Sequence, residues 1–148
     1  MVVMSKPKVL LLCTGNACRS QMAEGLVRDR LGDFLDVHSA GIHPAGVHPY
    51  ASRVLREIGI DPSEQYSKHV TELFHVEFEL VVTLCNHADS FCPDFHNARD
   101  RTHLPFVDPI YATGTEEEVV GAFRASRDDI DRRLVPFLRK HFQIEEPS

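Results

Sequence analysis

Residues 8–20 read KVLLLCTGNACRS. After Lys8 the run is apolar without alternation, which is the pattern of a strand covered on both faces. A short turn containing Gly15 follows, and a helical stretch then runs from residue 20 to about 31, where Gly32 stops it. A buried strand passing through a tight turn into a helix is the repeating unit of a parallel α/β sheet.

The same alternation continues outward. Asp36–Ala40 is short and β-prone and predicts a second strand. Ala51, Val54, Leu55 and Ile58 fall at i, i+3, i+4 and i+7, so a helix is predicted there with Gly59 at its end. Residues 70–74 predict a shorter helix, residues 80–84 (LVVTL) a third buried strand, and residues 102–106 a fourth. Thr115 and Glu118 form a capping box that opens the last helix. Its apolar stripe is Val120, Phe123, Ile130, Leu134 and Phe137, with Pro136 inside it predicting a kink or break near Val135. No repeat, low-complexity tract or linker divides the chain. The expectation is one three-layer α/β domain over residues 1–148, with a four-stranded parallel sheet flanked by helices. In such sheets ligands bind beyond the carboxyl ends of the strands.

Bulk properties narrow the function classes. The 148 residues are 43% apolar and 26% charged, enough for one packed core without staples. With 16 Lys+Arg against 22 Asp+Glu the net charge is −6, which argues against nucleic acid as a partner. The longest apolar run, residues 9–13, is far short of a membrane span, and no export signal is visible. A cytoplasmic monomer is expected. Cysteines at 13, 18, 85 and 92 are then not needed as structural disulfides, leaving metal, catalytic or redox roles against plain burial.

The turn Cys13-Thr14-Gly15-Asn16-Ala17-Cys18-Arg19-Ser20 is the strongest chemical signal. Successive backbone N–H groups from Thr14 to Arg19 can converge as a nest for a tetrahedral oxyanion. The following helix adds the positive end of its dipole. The Arg19 side chain can fork two oxygens of the same anion. Cys13 then sits beneath the bound anion, where those amides and the Ser20 hydroxyl stabilise a thiolate. A sulfur held there is placed to attack the central atom. Asn16 is expected to hold the loop through side-chain hydrogen bonds, and Cys18 to be buried filler.

Cys-x5-Arg-Ser directly after the first strand resembles the low-molecular-weight protein tyrosine phosphatase superfamily. The continuation Ser20-Gln21-Met22-Ala23-Glu24-Gly25 is similar to its thioredoxin-coupled arsenate reductase branch. Further matches follow in order: Ser39-Ala40-Gly41-Ile42, Gly46-Val47 with Pro49, Val81-Val82-Thr83-Leu84-Cys85, Asp108-Pro109 and Gly114-Thr115-Glu116-Glu117-Glu118. The resemblance implies a flavodoxin-like strand order and reduction of arsenate to arsenite, for arsenic detoxification. It implies Cys13 as nucleophile, Cys85 and Cys92 as the pair that ends as a disulfide, Asp108 as general acid, and thioredoxin as reductant, with no metal or organic cofactor. Ala17 departs from the hydroxyl residue common at that position.

Spacing constrains the second cysteine pair. Were residues 85–92 a straight helix, the two Cα atoms would stand about 10.5 Å apart at about 1.5 Å per residue. A disulfide tolerates at most about 7 Å. Pro93 disfavours helical geometry at Cys92, so residues 86–91 are expected to be ordered in one redox state and looped in the other.

Two rival readings stand beside this one. A phosphatase of the same fold, working through a phosphocysteine, shares the loop and Asp108-Pro109 but has no use for Cys85 and Cys92. The aromatic Tyr111 after Asp-Pro suits such an enzyme and predicts weak phosphatase activity. A zinc module built on the four cysteines and His87 fails on spacing, and leaves Gly15 and Arg19 unexplained.

Overall fold

The computed structural model describes residues 5–86 and 95–145. Four strands, β1 (Lys8–Leu12), β2 (Asp36–Ala40), β3 (Phe78–Thr83) and β4 (Ala98–His103), form one parallel sheet in the order β2-β1-β3-β4. Three α-helices accompany them: α1 (Arg19–Leu31), α2 (Pro49–Arg56) and α3 (Glu116–His141). Single 3-10 turns lie at Val70–Leu73 and Pro109–Tyr111.

β1 is central, and strand geometry sends alternate side chains to opposite faces. Val9 and Leu11 join Met22, Leu26, Val54, Leu55, Phe123 and Leu134 in the larger core, which all three helices line. Leu10 and Leu12 point the other way, to Val70, Phe78, Val81 and Phe95. The sheet is therefore the middle of three layers. α1 is buried along nearly its whole first two turns, Arg19 through Val27. That explains the lack of an apolar stripe in its sequence: it has no solvent face there.

Two expectations are corrected. The fourth strand is Ala98–His103 rather than 102–106. Its sequence ARDRTH carries no apolar alternation because it is an edge strand with exposed side chains. Residues beyond it still bond to the end of β3, Leu104 N–H to Thr83 O at 2.9 Å and Phe106 N–H to Leu84 O at 3.1 Å. Secondly, α3 is not broken near Val135 but runs on through Pro136 to His141. Pro136 is exposed, while Leu134, Val135 and Leu138 beside it are buried. That packing offsets the hydrogen bond proline removes, a loss worth about 3 kcal/mol. The predicted capping box is present, with Thr115 Oγ accepting from Glu118 N–H at 3.2 Å. No helix among the described residues is long and apolar enough to cross a membrane.

Candidate active site

The loop between β1 and α1 is held open by its own carbonyls. Thr14 O accepts from the N–H groups of Ile42 and His43 at 2.9 and 3.0 Å, and Gly15 O from Ala45 N–H at 3.1 Å and Ser67 Oγ at 3.1 Å. Asn16 O accepts from Gln21 Nε2 at 3.1 Å, Ala17 O from His48 N–H at 3.0 Å, and Cys18 O from Met22 N–H at 2.9 Å. Five consecutive carbonyls thus face outward. Since the N–H of a peptide points opposite to its C=O, the amides converge on the loop's centre. No bond among the described residues takes up the N–H groups of Gly15, Asn16, Ala17 and Cys18. α1 begins at the same point with no side-chain cap and no acidic residue in its first turn. Its positive end is directed at the same small volume.

Asn16 makes the turn possible. It has φ 46°, in the left-handed region that Asn tolerates better than most residues. Its side chain is fully buried: Nδ2 donates to Ser20 Oγ at 2.7 Å and to Ser39 Oγ at 3.0 Å, and Oδ1 accepts from Lys68 N–H at 2.9 Å. Gly41 lets β2 approach from the other side. A Cβ there would stand 2.5 Å from Thr14 O and 2.7 Å from Cys13 O, both backbone atoms that cannot yield without moving the loop.

Cys13 is buried with its sulfur 2.8 Å from Ser20 Oγ. Because Ser20 Oγ already accepts from Asn16, its own hydrogen is available to the sulfur. Arg19 is 1% exposed, and its Nη2 pairs with Asp108 Oδ2 at 3.1 Å while Nη1 reaches Phe106 O at 3.3 Å. Asp108 is fixed in turn by Ile110 N–H, which donates to its Oδ1 at 3.0 Å. Cys18 faces inward, and burial, with Asp108 and Cys13 adding to it, pushes its thiol far up. It stays protonated.

Cys85 is buried directly after β3. Leu12 and Thr83 are register partners, and Leu84 N–H bonds Leu12 O at 2.8 Å. Cys13 and Cys85 therefore leave the carboxyl ends of neighbouring strands, about 4.8 Å apart as parallel chains run. Cys92 and His87 lie outside the described residues, as does nearly all of 86–91. Among the described residues no cluster of three or more His, Cys, Asp or Glu side chains could hold a metal ion.

Residues 8–146 match the model of the low molecular weight phosphotyrosine protein phosphatase family. The chain belongs to that family. Within the family its curated relatives carry another name. An arsenate reductase of Halalkalibacterium halodurans is 48% identical over 134 residues, covering 90% of this chain and 96% of the relative. Among solved structures, an arsenate reductase in the phosphate binding state superposes with a TM-score of 0.75 at 28% identity, covering 90% of this chain and 98% of that one. A thioredoxin-dependent arsenate reductase of Corynebacterium glutamicum gives a TM-score of 0.67 at 26% identity, covering 98% of this chain and 66% of that one.

Two contributors, Lys68 and His48, escaped sequence reading. Lys68 and Ser39 close the network behind Asn16, from segments remote in the chain. His48 braces the loop through its N–H, caps α2 by accepting from Tyr50 N–H at 3.0 Å, and stacks 4.7 Å from the Phe123 ring. Burial depresses its basicity, against the pull of Asp108.

Proposed function

We propose that this protein reduces arsenate to arsenite through a relay of three cysteines, regenerated by thioredoxin. The observation that carries the reading is the ring of outward carbonyls around a buried cysteine, with a second cysteine at the end of the adjacent strand. The relatives named arsenate reductase support the substrate.

Arsenate enters the nest of residues 14–19 with Arg19 as counter-charge. The Cys13 thiolate attacks arsenic and a protonated oxygen leaves as water, Asp108 supplying the proton. The Cys85 thiolate attacks the Cys13 sulfur; the As–S electron pair departs with arsenic, which leaves as arsenite, and a Cys13–Cys85 disulfide forms. Cys92 then attacks Cys85, freeing Cys13 and leaving Cys85–Cys92 for the dithiol of thioredoxin. Arsenic accepts two electrons and the relay supplies two. A phosphocysteine at the same place can only be hydrolysed. The reading takes the protein as a cytoplasmic monomer, in a compartment where thioredoxin keeps thiols reduced.

The test is arsenate-dependent NADPH oxidation with thioredoxin and its reductase. Parent protein turns over; Cys13→Ser, Cys85→Ser and Cys92→Ser do not. Hydrolysis of p-nitrophenyl phosphate serves as the contrasting arm, since it requires Cys13 and neither of the later cysteines. Loss of that hydrolysis in Cys13→Ser without any arsenate turnover in the parent would overturn the reductase reading.

A further inference from the structure

Apart from Arg19, Lys68 is the buried cation nearest the loop among the described residues, and the chemistry above does not use it. It is 7% exposed. Its ammonium donates to Ser39 O at 2.9 Å and Tyr66 O at 3.2 Å, lies 3.6 Å from Glu24 Oε1, and stands 4.5 Å over the Tyr66 ring. Removing such a group from water is costly, and these hydrogen bonds and the facing carboxylate offset that cost. Burial accordingly depresses its basicity, with Glu24 opposing.

A hydrogen-bonded chain leads from this ion pair to the nucleophile. Ser39 Oγ donates to Glu24 Oε1 at 2.7 Å and accepts from Asn16 Nδ2 at 3.0 Å. The same amide nitrogen donates to Ser20 Oγ at 2.7 Å, and Ser20 Oγ is 2.8 Å from the Cys13 sulfur. From Glu24 as far as Ser20 every proton has one direction. The Lys68 backbone N–H occupies Asn16 Oδ1, so the amide nitrogen must face both hydroxyls. The carboxylate takes the Ser39 hydrogen. Ser20 Oγ, already accepting from Asn16, has its own hydrogen free to give to a thiolate at Cys13.

We propose that Lys68 is a positioning residue for Cys13: its ammonium balances Glu24 at the inner end of this chain and so holds Ser20 as a donor to the sulfur. The proposal rests on reading Cys13 as the nucleophile of an oxyanion loop. The other charges facing these groups are Arg28, 3.0 Å from Glu24 at the half-exposed side, Glu72 near Lys68, and Arg19 with Asp108 on the Cys13 side. None of them bonds to Asn16 or Ser39 among the described residues.

The test reads Cys13 directly, as the pH dependence of its alkylation by iodoacetamide in the reduced full-length protein, followed on the Cys13 peptide by mass. In Lys68→Met the midpoint rises by about one pH unit, and the rate at neutral pH falls about tenfold. Adding Glu24→Gln to that variant brings the midpoint back toward the parent, because the carboxylate oxygen that had lost its buried counter-charge, with only the half-exposed Arg28 left to face Glu24, is gone. Lys68→Arg keeps the parent profile. Should Lys68→Met fail to fold, Glu24→Gln alone carries the test, with a midpoint displaced downward. A purely structural lysine would lower the melting temperature and leave every midpoint unchanged, and that result overturns the proposal. Shifted midpoints in a protein that does not turn over arsenate would sink the reductase reading and keep the role of Lys68. Turnover by the parent with superimposable profiles would do the reverse.

Discussion

Arg19 Nη2 lies 3.1 Å from Asp108 Oδ2, joining the first turn of α1 to the segment that follows β4. The guanidinium is almost wholly buried and the carboxylate side chain is 15% exposed, so the pair is shielded and screened little by salt. In the proposed mechanism this pair couples anion binding to proton delivery, since the cation that meets the anion also holds the acid in place.

Asp108→Asn separates those two tasks. The cation loses its internal counter-charge, so arsenate and inorganic phosphate bind as tightly as before or tighter, while the leaving oxygen goes unprotonated. Turnover is expected to fall by about 10²–10⁴, the usual contribution of a positioned acid. Steady-state kinetics with phosphate as competitor measure both. A variant that lost affinity while keeping kcat would remove Asp108 from the acid role.

Ser20→Ala removes the donor beside Cys13. A hydrogen bond to a charged acceptor contributes about 1.5–3 kcal/mol, so alkylation of Cys13 at neutral pH and arsenate turnover should both slow by roughly tenfold to a hundredfold. Phosphate affinity, which depends on backbone amides, should change little. Equal alkylation rates in parent and variant would show that the contact at 2.8 Å does not act on the thiolate.

Gly41→Ala tests the close approach of β2 to the loop. A methyl group 2.5 Å from a backbone oxygen forces the loop to move, with an overpacking cost of about 1–3 kcal/mol. The expected outcome is a lower melting temperature together with weakened phosphate binding, read by calorimetry. Retained affinity in a destabilised protein would mean that the loop tolerates the displacement.

Acid stability should report on a site far from the chemistry. Glu57 is gripped by Arg124 at 2.7 Å and by Arg127 at 2.9 Å, and the hydrogen bond from Arg124 leads in holding its carboxyl down at about 2, against an ordinary 4.5. A carboxyl lowered on folding contributes stability that is present above its unfolded value and lost as pH falls through the folded one. Between about pH 4.5 and 2, parent protein therefore loses stability that Glu57→Gln never had. Urea midpoints of the two should converge toward the acid end of that window; a constant gap across it would exclude Glu57 as the source.

The parts of this architecture that were legible in sequence are those where burial leaves a pattern. β1 and β3 are apolar because both faces are covered, and Thr115 with Glu118 marks a helix start by side-chain chemistry alone. β4 was misplaced because an edge strand owes its existence to pairing with β3, which its own residues ARDRTH do not encode. The loop from Cys13 to Ser20 was readable because its parts are contiguous. Lys68 was not, since its partners Asn16 and Ser39 are 52 and 29 positions away and nothing in Ser67-Lys68-His69 hints at a buried ammonium. α1 withheld its orientation for the opposite reason: with almost every early residue buried, polarity could not show which side meets the sheet.

Cys18 has a consequence for self-protection. Trivalent arsenic is captured by sulfur in its ionised form, and an enzyme that releases arsenite does so beside its own cysteines. Burial keeps this side chain in its hydrogen-bearing state just before Arg19, and ligation by thiol sulfur requires the thiolate. In the proposed cycle, arsenous acid leaving the loop would therefore meet no ionised sulfur at Cys18 to hold it back.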